Sequence, residues 1–122
     1  MAKKVITVDD SATVRLALKG PLLKDGDDVI EANDGVDAVD ILKNENVDLM
    51  ITDLNMPSMD GIELIRRIRR DGKYRFLPII MLTTETDDEK KMEGRAAGAS
   101  GWIMKPFTPH QLLAVVKMVC SC

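Results

Sequence analysis

The chain has 122 residues, 45% of them hydrophobic and 30% charged, with a net charge of −3 and an isoelectric point near 5.1. These values fit a single globular domain over residues 1–122 without an effector domain, and they give the molecule no overall attraction to nucleic acid or anionic membranes. The apolar run near the N-terminus stops at Asp9, and no stretch is long enough to span a bilayer, so we expect a cytoplasmic protein.

Strand-like and helix-like patterns alternate along the chain. The strand-like runs cover residues 4–8, 28–32, 48–52, 78–82 and 100–104. The third and fourth runs are continuously apolar, which is typical of strands covered on both faces in a parallel sheet. Five β–α units with right-handed crossovers predict an α/β fold, a doubly wound five-stranded parallel sheet of the flavodoxin-like type with strand order 2-1-3-4-5.

Two of the helices between these strands contain residues that oppose helix formation. The first, over residues 12–24, contains Gly20 and Pro21, and the proline removes one backbone hydrogen bond, so we expect a kink or an early end there. The fourth, over about residues 87–97, contains Gly94 and few large apolar side chains. We expect the sheet to hold it loosely.

The remaining helices are amphipathic and have clear start signals. Residues 35–43 follow a cap at Asn33 or Asp34. The last helix begins with Thr108 as a cap and Gln111 completing a capping box. These signals predict well-formed helices on both faces of the sheet.

The third helix, over residues 61–70, carries four arginines outside its apolar side: Arg66, Arg67, Arg69 and Arg70. A nucleic-acid patch usually interleaves such residues with aromatic side chains, and none occurs here. The pattern therefore favours a solvated helix face.

The cysteines Cys120 and Cys122 form a lone C-x-C motif at the end of the chain. A zinc site needs a second pair of ligands, which the sequence does not offer. We interpret the two residues as a reduced tail.

Polar and charged residues mark the carboxyl ends of four predicted strands. Asp9 and Asp10 follow the first strand and Asp53 follows the third. Thr83 follows the fourth strand and Lys105 the fifth. Ligands of doubly wound sheets bind beyond these strand ends, where the strand order reverses. We therefore expect these side chains to form one site.

Three carboxylates in one site require compensation. Two unit charges 4 Å apart repel by about 4 kcal/mol at an effective dielectric of about 20. Either one or more carboxyl pKa values rise or a cation enters, and carboxylate oxygens suit Mg²⁺. Lys105 and Thr83 are groups that can neutralise the oxygens of a transferring phosphoryl group. Since there is no glycine-rich nucleotide loop, we expect the phosphoryl group to come from a small donor or another protein's side chain, with a carboxylate as nucleophile.

Four segments then carry a family resemblance: VDDS at residues 8–11, TDLNMPSMDG at 52–61, PIIMLTTE at 78–85 and AAGASGWIMKPF at 96–107. In kind, order and spacing they resemble the receiver domains of two-component response regulators, and the resemblance runs through the whole chain. It implies a stand-alone receiver of the chemotaxis type. Such a protein is a phosphorylation-dependent switch that assists its own phosphorylation and autodephosphorylation, not an enzyme acting on other substrates.

The resemblance assigns an acceptor and a metal site. It implies that Asp53 is the phosphoacceptor. It implies that Mg²⁺ is bound by Asp10, Asp53 and the backbone carbonyl of Asn55, with Asp9 acting through a water molecule. Asn55 and Glu85 match a pair found in receivers that lose their phosphoryl group quickly, which implies that these two residues tune hydrolysis.

The resemblance also assigns the switch. Lys105 and Thr83 would contact the phosphoryl oxygens, and Thr83 would move toward them on phosphorylation. The bond between Lys105 and Pro106 is expected to be cis. Trp102 stands at the family's aromatic switch position, which is more often Tyr or Phe. Because its indole N–H needs a partner if the ring turns inward, we expect the ring to stay partly exposed.

The implied partners are proteins, and the implied state is a monomer. A CheA-like histidine kinase would supply the phosphoryl group, a flagellar motor switch protein would read it, and a phosphatase could remove it. A phosphorelay intermediate or phosphate sink would share the same chemistry and remains an alternative. A haloacid-dehalogenase phosphatase is disfavoured because it needs an aspartate where Asn55 stands, and the complete set of site residues argues against a degenerate scaffold.

Overall fold

The computed structural model describes residues 2–84 and 86–120, in which strands and helices alternate. The elements are β1 (Lys4–Val8), α1 (Ala12–Lys24), β2 (Asp28–Ala32), α2 (Gly35–Asn44), β3 (Leu49–Asp53), α3 (Gly61–Arg70), a short 3₁₀ helix (Gly72–Tyr74), β4 (Ile79–Thr83), α4 (Asp88–Ala97), β5 (Gly101–Met104) and α5 (Pro109–Cys120). No helix within these residues combines the length and the apolar character needed to cross a membrane.

The sheet is fully parallel, with the predicted strand order β2-β1-β3-β4-β5. β1 pairs with β2 on one side and with β3 on the other. Its register with β3 sets Val8 opposite Thr52. Asp9 and Asp53, the next residue of each chain segment, therefore leave the sheet side by side at its carboxyl edge.

Helices cover both faces of the sheet, as the continuous apolar strands predicted. On one face, α1 and α5 bury Leu18, Leu22, Leu112 and Val116 against alternate strand residues. On the other face, α2 and α3 bury a larger cluster that includes Ile65. Because strand side chains alternate between faces, each buried strand contributes to both clusters. This double packing fixes the strand ends in place.

Helix α1 continues past Pro21 to Lys24, which excludes the early end among the two predicted outcomes, a kink or an early end. The Asp25 N–H donates to the Pro21 carbonyl at 3.0 Å, as in a continuing helix. Leu18 and Leu22, which are 1% and 0% exposed, hold both halves of the helix against the sheet. Their tertiary packing outweighs the single backbone hydrogen bond that proline removes.

The capping predictions are confirmed, and strand bounds shift by one residue. Asp34 caps α2, accepting the Asp37 N–H. The Thr108 hydroxyl accepts the Gln111 N–H at 3.1 Å, and the Gln111 side chain accepts the Thr108 N–H at 2.9 Å. The sequence reading ended β3 and β4 one residue early, because Asp53 and Thr83 are the last residues of these strands and do not follow them.

Arg69 departs from the predicted solvated arginine face. Its side chain is half-buried, and its guanidinium donates to the carbonyls of Tyr74 at 2.8 Å, Arg75 at 3.2 Å and Gly98 at 2.6 Å. It thereby ties the segment after α3 to the end of α4. The other three arginines are exposed, as predicted: Arg66, Arg67 and Arg70.

Candidate functional site

Three carboxylates meet at the carboxyl edge of the sheet, as the sequence predicted. Asp9, Asp10 and Asp53 each offer an oxygen, and these oxygens lie within 4.8 Å of one another. Asp9 and Asp53 are buried, at 1% and 7% exposure, whereas Asp10 is open to solvent. Because buried like charges are costly, this arrangement favours a nearby positive charge or a raised carboxyl pKa.

Lys105 supplies one positive charge to the cluster. Its Nζ lies 3.1 Å from Oδ2 of Asp9 and 3.4 Å from Oδ1 of Asp53. Its backbone N–H donates to the Thr83 carbonyl at 2.9 Å, which fixes the residue at the end of β5. The bond from Lys105 to Pro106 is cis, as predicted. One ammonium facing three carboxylates leaves the site with an excess of negative charge.

The pKa of the Asp53 carboxyl group reflects both its burial and the charges around it. Burial raises the pKa of Asp53 above its ordinary value, and the negative charge of Asp9 raises it further. The charge and hydrogen bond of Lys105, and a hydrogen bond from the backbone N–H of Leu54, oppose these effects without cancelling them. The site therefore favours the arrival of positive charge, or of a group that consumes the carboxylate.

The segment after Asp53 turns tightly over the site. The Gly61 N–H donates to the Leu54 carbonyl at 2.8 Å. A β-carbon on Gly61 would lie 2.4 Å from the Asp53 carbonyl oxygen, so only glycine fits there. Within the turn, Asn55 is exposed and Ser58 has a positive φ of 71°. The exposure of Asn55 leaves it accessible to a ligand of the acidic cluster.

Thr83 and Trp102 occupy neighbouring strands beside the cluster. Thr83 is fully buried at the end of β4. Trp102 is partly exposed, as predicted, and its ring packs against the α4 residue Gly94, where a β-carbon would come within 3.0 Å of it. Its indole N–H is buried and finds no partner among residues 2–84 and 86–120. Glu85, the second residue assigned to hydrolysis, lies outside the described residues.

The sequence reading missed Arg15, which supports the cluster from α1. Its guanidinium donates to the Asp9 carbonyl at 2.6 Å and pairs with Glu31 at the end of β2 at 3.0 Å. This contact braces the segment that carries Asp9 and Asp10. The available signal was an arginine one helical turn into α1, facing the acidic end of the adjacent edge strand.

The acidic cluster fits a small divalent cation. Its donors are hard carboxylate oxygens, and one of them, on Asp10, faces solvent, from which an ion and its waters would enter. Mg²⁺ binds through one or two carboxylates and keeps several waters, which matches a site that is open on one side. The excess negative charge around Asp53 also favours a bound cation.

Comparison with known proteins agrees with the fold and the site. Residues 5–117 match the family model described as the response regulator receiver domain. The chain is 48% identical over 111 residues to a chemotaxis protein CheY homolog of Campylobacter jejuni, covering 89% of this chain and 85% of that protein. It is 40% identical to chemotaxis protein CheY1 of Helicobacter pylori, covering 95% of both chains.

A solved structure extends the comparison to three dimensions. The chemotaxis response regulator CheY4 of Vibrio cholerae superposes with a TM-score of 0.93 at 43% identity, covering 98% of this chain and 99% of that chain. The structure thus places the chain among signalling domains built on a doubly wound sheet with an acidic cluster and a lysine at its carboxyl edge. The chain belongs to the response regulator receiver domain family.

Proposed function

We propose that the chain is a phosphorylation-dependent switch in chemotaxis, in which Asp53 accepts a phosphoryl group from a histidine kinase. The observation that carries this proposal is the contact of Lys105 Nζ with Asp53 at 3.4 Å inside a cluster of three carboxylates. A buried carboxylate of raised pKa next to a fixed ammonium is suited to attack phosphorus and to have its product stabilised.

The transfer is a simple displacement. A carboxylate oxygen of Asp53 forms a bond to phosphorus while the bond from phosphorus to the donor histidine nitrogen breaks, and the electron pair stays on that nitrogen. Lys105 is positioned to neutralise the phosphoryl oxygens, because its ammonium already lies between Asp9 and Asp53. In hydrolysis, water attacks the phosphorus and the Asp53 carboxylate leaves.

Mg²⁺ would be held by Asp10 and Asp53, with Asp9 acting through water and the Asn55 carbonyl completing the set. When bound, the ion offsets the negative charge of the carboxylates and of the incoming phosphoryl group. Arg15 keeps the Asp9 segment in position through its carbonyl contact at 2.6 Å. The exposed Asn55, with Glu85, would set the rate at which water reaches the phosphoryl group.

Phosphorylation would act on the elements that follow β4. The new negative charge attracts the Thr83 hydroxyl, and Trp102 in the adjacent strand is poised to respond. Its unpartnered indole N–H makes the present ring position a costly one. The readout surface would be α4, β5 and α5, where Met104 is 37% exposed and Lys90 and Lys91 lie on α4.

The partners follow from the same proposal. The relatives from C. jejuni and H. pylori are chemotaxis proteins by name, which supports a CheA-like histidine kinase as donor and a flagellar motor switch protein as target. A phosphatase would act at the exposed side of the site. We further propose that the switch works as a monomer and passes its signal by protein contact.

The direct test is incubation with acetyl phosphate and Mg²⁺, followed by mass spectrometry and Trp102 fluorescence. Wild type should gain the mass of one phosphoryl group, with a fluorescence change, and lose it after the donor is removed. Asp53→Asn should gain none. Asp40→Asn, which changes an exposed carboxylate on α2, should behave as wild type.

Two results would contradict the proposal. Equal labelling of wild type and Asp53→Asn would exclude Asp53 as the acceptor. A phosphorylated form that persists for hours in Mg²⁺ would exclude fast autodephosphorylation while leaving the acceptor role intact.

A further inference from the structure

Phe76 is a protruding aromatic side chain at the amino edge of the sheet, opposite the acidic cluster. It lies between the 3₁₀ helix and β4 and is 88% exposed. Tyr74 and Leu77 on either side of it are buried, at 4% and 6% exposure. The backbone is therefore anchored on both sides, while most of the Phe76 side chain remains in solvent.

The segment that contains Phe76 is strongly basic in an acidic protein. Residues 66–76 contain six Arg or Lys side chains and one Asp, for a net charge of +5. The whole chain carries −3, so the other residues together carry −8. This segment therefore has a positive local potential even though the net charge of the whole chain is negative.

Most of these basic side chains have no acidic partner. Arg66 pairs with Glu93 at 3.7 Å, and Arg69 is used by three carbonyls. Within residues 2–84 and 86–120, no carboxylate oxygen lies within 4.0 Å of the cationic groups of the others, which are Arg67, Arg70, Lys73 and Arg75. Lys73 lines the same cleft as Phe76 and the Arg75 guanidinium lies over its ring, and these three residues are called the Phe76 patch below.

The patch borders a cleft of about 300 Å³. Its walls include Val47, Leu77 and Pro78, and Lys73 and Phe76 stand at its rim. A carboxylate within it, that of Asp48, already accepts the Lys4 N–H at 2.9 Å. An apolar side chain of a partner could therefore enter beside Phe76 while its charged neighbours meet the surrounding cations.

Two side chains of the patch, Arg75 and Phe76, restrain one another. The Arg75 guanidinium lies 5.8 Å from the centre of the Phe76 ring, which restrains both. Arg69 fixes the carbonyls of Tyr74 and Arg75 from below. Preorganised aromatic and arginine side chains lose little freedom on binding, and these two residue types are enriched at protein interfaces.

We propose that the Phe76 patch is a docking surface for an acidic protein segment that carries an apolar anchor residue. This goes beyond the phosphoryl switch, and it places a second partner at the opposite end of the sheet. β3 separates the two ends by roughly 13 Å at 3.3 Å per residue, so docking there leaves the acidic cluster accessible.

The composition of the patch favours a protein segment over other anionic partners. Binding of a nucleic-acid single strand uses several stacking aromatics, and here Tyr74 is buried, so Phe76 offers one ring. Stable membrane binding needs a broad apolar face or a lipid anchor, and a lone Phe provides neither. One protruding anchor with a cationic rim and an adjoining cleft fits a protein interface.

The test is a titration of ¹⁵N-labelled protein with a synthetic peptide of repeated Glu-Glu-Leu units. Amide shifts should concentrate in residues 66–78 and 46–48. Phe76→Ala and Arg75→Glu should each weaken binding by about tenfold or more. A Gln-Gln-Leu peptide of the same length should bind much more weakly, since it lacks the charge.

Matched variants and other ligands complete the design. Leu16→Ala removes another exposed apolar side chain, on α1, and Lys117→Glu reverses a charge on α5, so both should bind as wild type. The proposal is overturned if the peptide does not bind, if shifts fall elsewhere, or if Phe76→Ala binds as wild type. Tighter binding to phosphatidylserine vesicles or to oligo-deoxythymidine than to the peptide also overturns it.

Discussion

The two edges of the sheet are built on opposite principles. At the amino edge, Oδ1 of Asp27 accepts the Lys3 N–H at 3.3 Å and the Tyr74 hydroxyl contacts the carbonyls of Leu42 and Glu45, while the cations of the Phe76 patch are exposed to solvent. At the carboxyl edge, three carboxylates share one ammonium. The difference shows that stability and reactivity are separated along the strands, with the buried core between them.

The largest change in stability is expected at the amino edge of the sheet, where Tyr74 is buried. Tyr74→Ala should destabilise the protein by about 3–5 kcal/mol, because it empties a buried site and removes the hydroxyl that contacts the carbonyls of Leu42 and Glu45. Tyr74→Phe, which keeps the ring, should cost about 1 kcal/mol. Urea denaturation measures both. If the comparison holds, phosphorylation of Asp53 at a temperature where the variants are folded should match wild type.

Metal binding should offset the excess negative charge at the carboxyl edge of the sheet and so stabilise the folded protein. If Mg²⁺ binds only the folded protein, a free concentration 100-fold above the dissociation constant should add about 2.7 kcal/mol of stability. A rise in melting temperature with MgCl₂, compared at constant ionic strength, measures it. Asp10→Ala should lose most of this gain, and a gain that survives the substitution would place the ion elsewhere.

Removing one charge from the cluster should also stabilise the protein. Asp53→Asn should raise the free energy of unfolding near neutral pH, since burial and Asp9 disfavour the ionised carboxylate. Because the pKa of Asp53 is raised in the folded state, wild type loses stability as pH rises through it. The gain should therefore shrink toward the ordinary pKa of 3.8, and a gain that is independent of pH would contradict this explanation.

The smallest effect is expected in the turn over the site. Ser58 adopts a φ of 71°, which costs a non-glycine residue about 1 kcal/mol. Ser58→Gly should recover about 0.5 kcal/mol, less than the full strain because glycine also gains freedom in the unfolded chain. Thermal unfolding of the variant beside wild type measures it. A loss of stability would mean that the Ser58 side chain contributes a contact worth more than the strain.

Much of the fold could be read from the sequence because local and global signals agree. The continuous apolar runs gave the strands to within one residue, and Thr108 and Gln111 form the predicted capping box. Pro21 misled because the local cost of proline is small beside the burial of Leu18 and Leu22, which only the packed structure reveals.

The site was predictable in its charges but not in its supports. Adjacent strand ends bring Asp9 and Asp53 together in any sheet of this order, so topology alone sufficed. Arg69 acts through backbone carbonyls, which carry no side-chain signature in sequence, and the sequence signal for Arg15 is the acidic residue Glu31 at the end of β2. The orientation of the Trp102 indole depends on the close approach of Gly94 on another element, which also has no local signal.

The strand order sets how far apart in the chain the members of the site lie. Asp9 and Asp53 come from the neighbouring strands β1 and β3, whereas Lys105 follows β5 at the far edge of the sheet. The Lys105 ammonium and the Asp9 carboxylate that it contacts are 96 residues apart in the chain. The charge balance of the site therefore depends on a complete sheet, because loss of β5 would leave the three carboxylates without their ammonium.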